Sequence, residues 1–305
     1  MTLSKNTPLN MALPNLVTTD VKIDLRKNSG FTLIELMVSM GLGIFFLGIA
    51  MSFLLSSRVA YSTQDVNSRL QENARFAMDE LAASIRMASY VDLMTRDAEI
   101  PTGQFYSGAC GSFDPCTADG GGSNPDRIAV LMNPPPDDGT DQDCIGMPLS
   151  ANAATAAISM AAYVYMIGDD AGVSSLMCQT FLVDEDGVAT AVNATPQVLV
   201  SGVDDLQVLY GVTDVENVQA YDTQIQRYIN ADAVEALDVP EGAITPWVDI
   251  AAVRIALLAN SGLNDTSDTQ SSRSFKLLDA PNKSYTDKSR RQIFTTTVTI
   301  NNARS

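Results

Sequence analysis

The chain has 305 residues and a formal net charge of −17, and it contains no histidine. Its length allows one large domain or two small domains with an appended segment. Nucleic-acid binding needs clustered Lys and Arg to neutralise phosphates, so the acidic composition excludes that class of partner. Without histidine there is no Ser-His-Asp or Cys-His arrangement, and no phosphate-binding loop ends in Gly-Lys-Ser or Gly-Lys-Thr. We therefore expect neither an enzyme nor a cofactor-binding protein.

The first 30 residues differ in charge from the rest of the chain. From Phe31 onward there are 15 basic and 34 acidic residues, a net charge of −19. The residues before it are Lys5, Lys22, Arg26 and Lys27 on the basic side and Asp20 and Asp24 on the acidic side. A cationic start before an acidic body is typical of a chain whose N-terminus stays in the cytoplasm while the rest crosses the membrane.

A long apolar run follows this start. Residues Phe31 to Leu55 form a stretch of 25 residues with a single charged side chain, Glu35. A helix needs about 20 apolar residues to cross the hydrocarbon core, whereas the apolar part of a secretory signal has only about 7 to 15. No small-residue cleavage site follows the run, so the sequence predicts a membrane-spanning helix that is not removed from the far side.

Glu35 needs an explanation of its own. An ionisable group within a membrane span costs about 2.5 to 3.5 kcal/mol on insertion scales and is a functional candidate by default. Because Glu35 lies close to the edge of the span, its carboxylate could instead extend to the headgroups and have no function. Position alone leaves both interpretations open.

The residues around Glu35 resemble the processing site of type IV prepilins and the related pseudopilins. The run is Lys27-Asn28-Ser29-Gly30 followed by Phe31-Thr32-Leu33-Ile34-Glu35-Leu36. The resemblance implies that a membrane prepilin peptidase cuts between Gly30 and Phe31, removes residues 1–30, and methylates Phe31. It also implies that the Glu35 carboxylate pairs with the N-terminal amine of a neighbouring subunit, which would neutralise a buried charge. The leader is long at 30 residues, and Met11 is an alternative start to Met1 that leaves the cut unchanged.

Helical periodicity continues beyond the apolar run. Because no proline lies between Phe31 and Tyr90, we predict one continuous helix whose residues 31–55 lie in lipid and whose residues 56–90 dock on a head domain. Gly41, Gly43 and Gly48 weaken the first part, and we hypothesise that they let it bend during assembly. The apolar stripe of the second part is Val59, Val66, Leu70, Ala74, Ala77, Leu81 and Ile85.

Ser56 to Tyr90 resembles the corresponding part of PilW-type minor pilins. The matching elements are Leu70-Gln71-Glu72-Asn73, Phe76 and Arg86-Met87-Ala88. Two later segments, Leu199–Gly211 and Trp247–Ser261, resemble paired head strands of PilW-like and J-type pseudopilin proteins. The resemblance implies an α+β, type IV pilin-like fold, in which a long N-terminal helix packs on a C-terminal antiparallel β-sheet head over residues 91–305.

The head region consists of loops and short β-rich runs. Loops are predicted at Gly120–Ser123 and Pro134–Gly139, and a helix at Thr223–Leu237. The predicted strands are Arg127–Met132, Ala161–Ile167, Leu176–Val183, Gln197–Val200, Leu206–Val212, Val248–Ala259, Ser274–Leu278 and Gln292–Ile300.

The four cysteines all lie in the region expected outside the cytoplasm, where disulfides form. Four cysteines allow three connectivities, of which we favour Cys110 with Cys116 and Cys144 with Cys178. A zinc site is disfavoured, because five residues separate the closest pair and no histidine is available.

Two acidic clusters raise the question of calcium. They are Asp137, Asp138, Asp141 and Asp143, and Asp184, Glu185 and Asp186 before Gly187. Neither fits the EF-hand pattern, so we favour solvated loops and predict no metal site.

The leading hypothesis is a minor pilin, similar to PilW, that primes type IV pilus assembly at or near the tip. Its expected partners are the prepilin peptidase, the major pilin, other minor pilins, the inner-membrane assembly platform and, before assembly, membrane lipid. The expected location is the inner membrane with the head in the periplasm, and later the pilus at the cell surface. The alternatives are a J-type pseudopilin of type II secretion, a tip adhesin whose loops around Cys110 to Cys178 bind a ligand, and an uncut single-pass membrane protein.

Overall fold

The structure is a computed structural model that describes residues 30–90, 103–132, 142–147, 149, 158–184, 186–213, 224–238, 245–262 and 270–301. The chain divides into two compact units, Met1–Ser56 and Ser57–Ser305. Helix α1, Leu33–Arg86, contributes residues to both units.

The first unit contains the apolar start of α1. Every described residue of this unit, from Gly30 to Ser56, is exposed. An 18-residue window here has a mean hydropathy of 2.2, so by length and composition the helix is able to cross a membrane. Gly41, Gly43 and Gly48 lie within the helix, and a Cβ atom added at each would meet nothing within 4 Å. Their role in bending stays a prediction.

The rest of α1 belongs to the second unit and packs on the head. The predicted stripe is buried from Leu70 onward, including Ala77, Leu81 and Ile85, which are fully inaccessible. Val59 is 53% exposed, so the prediction that it packs on the head is wrong. The first buried residue of α1 is Leu70, three turns after Val59. The apolar clusters of the head include residues of α1 only from Leu70 onward.

The head contains two antiparallel sheets and a separate hairpin. The first sheet has the order β1-β2-β3-β4, with β5 also paired to β3; the second has the order β11-β8-β6-β7; the hairpin joins β9 and β10. The strands are β1 (Ile128–Met132), β2 (Ile158–Asp170), β3 (Val173–Asp184), β4 (Ala189–Ala191), β5 (Gln197–Ser201), β6 (Val203–Val212), β7 (Arg227–Ile229), β8 (Ile250–Asn260), β9 (Ser271–Phe275), β10 (Lys283–Asp287) and β11 (Arg291–Thr299). A short helix α2, Ala231–Glu235, and a 3-10 helix, Pro246–Asp249, complete the described elements. The α+β fold class predicted from the sequence is confirmed.

One large core joins α1 to both sheets. Leu81 and Ile85 of α1 share a cluster of buried residues with Tyr165 of the first sheet and with Val208 and Ile255 of the second. Alternation of side chains along each strand leaves a second apolar face on each sheet. The segment around Cys110 and Cys116 covers the outer face of the first sheet, and the β9–β10 hairpin covers that of the second.

Two element predictions in the head are wrong. Helix prediction over Thr223–Leu237 fails because Asn230 caps a shorter helix: its side-chain oxygen accepts the N–H of Ala233 at 3.0 Å, and the residues just before it form β7. Thr223 itself lies outside the described residues. The predicted strand Ser274–Leu278 is displaced, since the strand ends at Phe275 and Leu278 adopts a turn conformation with φ of 42°. The sequence analysis also missed β4 and β10.

Candidate functional site

The start of helix α1 has a defined cap. Gly30, Phe31 and Thr32 precede the helix. The backbone N–H of Glu35 donates to the Thr32 hydroxyl oxygen at 3.3 Å, and the N–H of Leu36 donates to the Thr32 carbonyl oxygen at 3.2 Å. Thr32 is therefore the N-cap residue. Glu35 lies in the first turn, where the positive end of the helix dipole favours a carboxylate.

The same segment exposes an unusual amount of apolar surface. Phe31 is 84% exposed, and large apolar side chains continue around the whole helix as far as Leu55. A soluble monomer rarely exposes a contiguous apolar surface of this kind, so the segment requires lipid or another protein around it. Glu35 is the single charged side chain within this surface.

The second part of α1 is held to the head by polar contacts as well as by apolar packing. Ser84 and Tyr165 share a buried hydrogen bond of 2.5 Å between their hydroxyl groups. Burial raises the pKa of Tyr165, which keeps its hydroxyl neutral at any physiological pH. The amide of Asn73 donates to the carbonyl oxygen of Ser201 at 3.3 Å, at the end of β5. Both contacts join the helix to the first sheet, at β2 and at β5.

The cysteines form two disulfides with the pairing favoured from the sequence. Cys110 pairs with Cys116 and Cys144 pairs with Cys178, at Cα–Cα distances of 5.6 and 6.2 Å. All four are buried. Among the described residues no group of three acidic, cysteine or histidine side chains could hold a metal ion.

The acidic residue Asp143 has a structural role that the sequence analysis missed. One of its carboxylate oxygens accepts the N–H groups of Ile145 and Met147, and the other accepts the amide of Asn193 at 3.1 Å. Asp143 is only 5% exposed, so the prediction of a solvated loop is wrong for this residue. Its carboxylate satisfies the backbone of the turn beside Cys144. The other acidic residues of that cluster, Asp137, Asp138 and Asp141, lie outside the described residues, as does Glu185.

Of the second acidic cluster, Asp184 is half-buried at the end of β3, and one of its carboxylate oxygens accepts the N–H of Val188 at 2.7 Å. Asp186 is exposed. Asp184 thus closes a turn at Gly187, whose φ of 76° suits glycine.

Asp126 is a second buried carboxylate that nothing in the sequence pattern singled out. Its two oxygens accept the N–H groups of Gly120 and Val208, at 2.9 and 2.8 Å. The side chain thereby ties the glycine-rich loop to strand β6. Burial, opposed by these two hydrogen bonds, raises its pKa to about 7.

Two family models match the chain. The prokaryotic N-terminal methylation motif matches residues 25–51, and the type IV pilus-assembly protein W family, PilW, matches residues 164–302. The chain is a PilW-like type IV pilin. No curated protein and no solved structure matches it.

The two matches cover different parts of the PilW-like chain. Gly30, Phe31 and Glu35 fall within the methylation-motif match, and the second half of β2 and the strands β3 to β11 fall within the PilW match. The segment Ser56–Tyr90, on which much of the PilW resemblance was based, lies in neither match. The two matches support a type IV pilus-assembly pilin and, together with the apolar helix, fit a membrane anchor; they imply interaction with other pilins and with a prepilin peptidase.

Proposed function

We propose that this PilW-like pilin is cut between Gly30 and Phe31, is methylated at Phe31, and enters the filament through pairing of Glu35 with the N-terminal amine of a neighbouring subunit. The observation that carries the proposal is an exposed apolar helix start with one carboxylate in its first turn. Moving such a surface from lipid into an equally apolar filament core costs little, because lipid tails and packed side chains are similarly apolar. The carboxylate must be neutralised in that core, and the freed amine of Phe31 in a neighbour is the cation that processing creates.

The proposal extends to the place of this subunit in assembly. The cationic residues before Phe31 favour a cytoplasmic N-terminus, which puts the disulfide-bonded head in the periplasm. The subunit primes assembly with the other minor pilins, the major pilin and the inner-membrane platform, and it lies at or near the pilus tip. The pilus-assembly function named by the PilW match supports this placement.

The test compares Glu35→Ala with Ser39→Ala in the full-length chain. Ser39 lies one turn further along α1, and its hydroxyl donates to the carbonyl of Leu36 within the same helix at 2.9 Å. We expect both variants to reach the membrane fraction normally. Glu35→Ala should appear in the sheared filament fraction at a level at least about ten-fold lower, because a neighbour's buried amine then lacks its partner. Equal recovery of both variants in filaments would refute the role of Glu35.

The tip adhesin remains an alternative, and the structure changes how it is tested. Deleting Gly111 to Cys144 would remove β1, whose five residues are all buried in the first sheet, and the head would lose part of its core. Substituting serine for exposed Met147 and Val188, which are 58% and 57% exposed, alters the loop surface without cutting a strand. Loss of attachment with normal piliation in that double variant would favour the adhesin.

A further inference from the structure

The second part of α1 and strand β5 border a groove on the head. The groove is lined by Glu72, Asn73 and Phe76 of the helix and by residues 199–201 of the strand. Its volume is about 410 Å³, which is enough to hold a few side chains of a second molecule. The amide of Asn73 donates to the carbonyl oxygen of Ser201 at 3.3 Å and joins the two walls.

Two side chains of the groove lie outside the core clusters of the described residues. Phe76 is 54% exposed, although Ala74 and Ala77 beside it are completely buried. Glu72 is also exposed, and no residue that the structure describes forms an ion pair with it. Among the described strands β5 pairs only with β3, and the open edge of a strand is a place where other chains bind. An aromatic ring, a carboxylate and a strand edge therefore meet at one surface.

The groove lies too far along α1 for lipid to cover it. The apolar run ends at Leu55, before the second unit begins at Ser57. From Ser57 to Phe76 the helix spans roughly 28 Å, at about 1.5 Å per residue. The headgroup layer adds only about 5 to 7 Å to each side of the hydrocarbon core. A molecule that covers Phe76 is therefore a protein.

We infer that this groove binds another pilin subunit, which packs an apolar side chain against Phe76 and places a Lys or Arg beside Glu72. The inference rests on the proposed function, in which the chain primes assembly together with other pilins, and the family matches imply such interactions. The groove also belongs to α1, the helix whose exposed start already requires lipid or a neighbouring subunit. A second copy is disfavoured, because two chains with a net charge of −17 repel each other.

The two contacts have different roles in this interface. Covering the ring of Phe76 supplies affinity, because a few buried aromatic side chains carry most of the binding energy of a protein interface. Glu72 lies at the rim, where a charge contributes mainly to the rate of association and to specificity. Its carboxylate favours a subunit that presents a cation and disfavours one that presents an acidic residue.

The first test replaces Phe76 with the photo-crosslinking residue benzoylphenylalanine in the full-length chain, in cells that make the other pilins. We expect crosslinks to a second protein that peptide mass spectrometry identifies as a pilin with a methylated N-terminus. The same replacement at Val188, which is 57% exposed and does not line the groove, is the control and should give far fewer such crosslinks. Crosslinks confined to lipid or to a second copy, or equal crosslinking to pilins from both positions, would overturn the inference.

The second test compares Phe76→Ser and Glu72→Lys with Val188→Ser and Asp186→Lys, two matched changes at exposed residues outside the groove. All four variants should keep the wild-type level in membranes, the wild-type unfolding midpoint and the N-terminus at Phe31. Co-purification of the crosslinked pilin in detergent should fall at least about ten-fold in Phe76→Ser, the effect of losing an aromatic anchor. It should fall less in Glu72→Lys, and that loss should shrink at high salt, as expected for a charge at the rim.

Wild-type co-purification in both groove variants would overturn the inference, as would an equal loss in the two control variants. Failure of the proposed function gives a different result. If the wild-type chain is not cut before Phe31, or if Glu35→Ala enters filaments normally, the proposed function fails. If the cut and the Glu35 effect are found and Phe76→Ser still binds its partner normally, only the role of the groove fails.

Discussion

The first part of α1 exposes its apolar side chains, whereas the head buries its own. Leu42, in the first unit, is 53% exposed, whereas Leu81, further along the same helix, is completely buried. The head covers both faces of each sheet with helix, loop or hairpin, and it reinforces the cover with two disulfides. The helix start leaves all of its apolar side chains uncovered. The head thus covers its apolar surface with its own residues, whereas the start of α1 depends on lipid or on neighbouring subunits for cover.

Blocking cleavage between Gly30 and Phe31 should have the largest effect. It should affect the function of the exposed start of α1 and leave the head unchanged. In Gly30→Leu a bulky side chain replaces the glycine before the scissile bond, so the leader should remain and recovery in filaments should be lost. The head should keep its stability, because Gly30 belongs to the other compact unit. Mass measurement of the membrane-bound protein and immunoblots of sheared filaments give the two readouts. Filaments that contain the unprocessed variant would contradict this prediction.

Removing disulfides should weaken only the head, by amounts set by the enclosed loops. Cys144 and Cys178 are 34 residues apart, and Cys110 and Cys116 are six apart. Loop-closure entropy predicts a loss of about 4 kcal/mol for the double serine variant of the longer loop and about 2 kcal/mol for that of the shorter loop. Denaturant unfolding of the full-length chain in detergent, followed by tryptophan fluorescence from buried Trp247, would measure both. A larger loss from the shorter loop would contradict the expected order.

Two leucine-to-alanine changes test the comparison most evenly. Leu81→Ala should lower the free energy of unfolding of the head by about 3 kcal/mol, because it leaves a cavity in the main core. Leu42→Ala should leave it unchanged, since that side chain does not contribute to the head core. The same unfolding assay applies to both variants. An equal loss of unfolding free energy would show that the start of α1 contributes as much to the stability of the head as the core does, and would contradict the comparison.

Asp126 should make the stability of the head depend on pH. The folded pKa is about 7, above the value of about 3.9 expected in the unfolded chain. The folded state therefore binds the proton more tightly, and the stabilisation present below about pH 4 is lost as the pH rises through 7. The slope is at most about 1.4 kcal/mol per pH unit.

Comparing wild type with Asp126→Asn at pH 5 and pH 8 isolates this effect from that of other carboxylates. The wild-type chain should lose more stability over this interval than the variant does. An identical pH dependence in both would mean that Asp126 keeps an ordinary pKa.

The sequence predicted the helix and most strands, because the patterns that indicate them lie within short stretches of the chain. Periodicity located the buried stripe from Leu70 to Ile85, and β-branched runs located β8 and β11 to within two residues. The resemblance implied the pairing of β6 with β8, which the structure contains. The full order of strands in the two sheets could not be predicted, since pairings such as β8 with β11 join residues that are distant in the chain.

At the site, the prepilin resemblance pointed to Gly30, Phe31 and Glu35, whereas the cap formed by Thr32 is visible only once the helix has a defined first residue. Asp126 and Asp143 were missed for a different reason. Their partners are backbone N–H groups, such as that of Val208, whose positions depend on the folded loops.

The most direct test of the central claim is the N-terminus of the protein recovered from filaments. We predict that its first residue is Phe31, carrying an N-methyl group, and that no peptide containing an intact Gly30–Phe31 bond is found in that fraction. Detection of that intact bond in filament-associated protein, or an N-terminus at any other residue, would contradict the account.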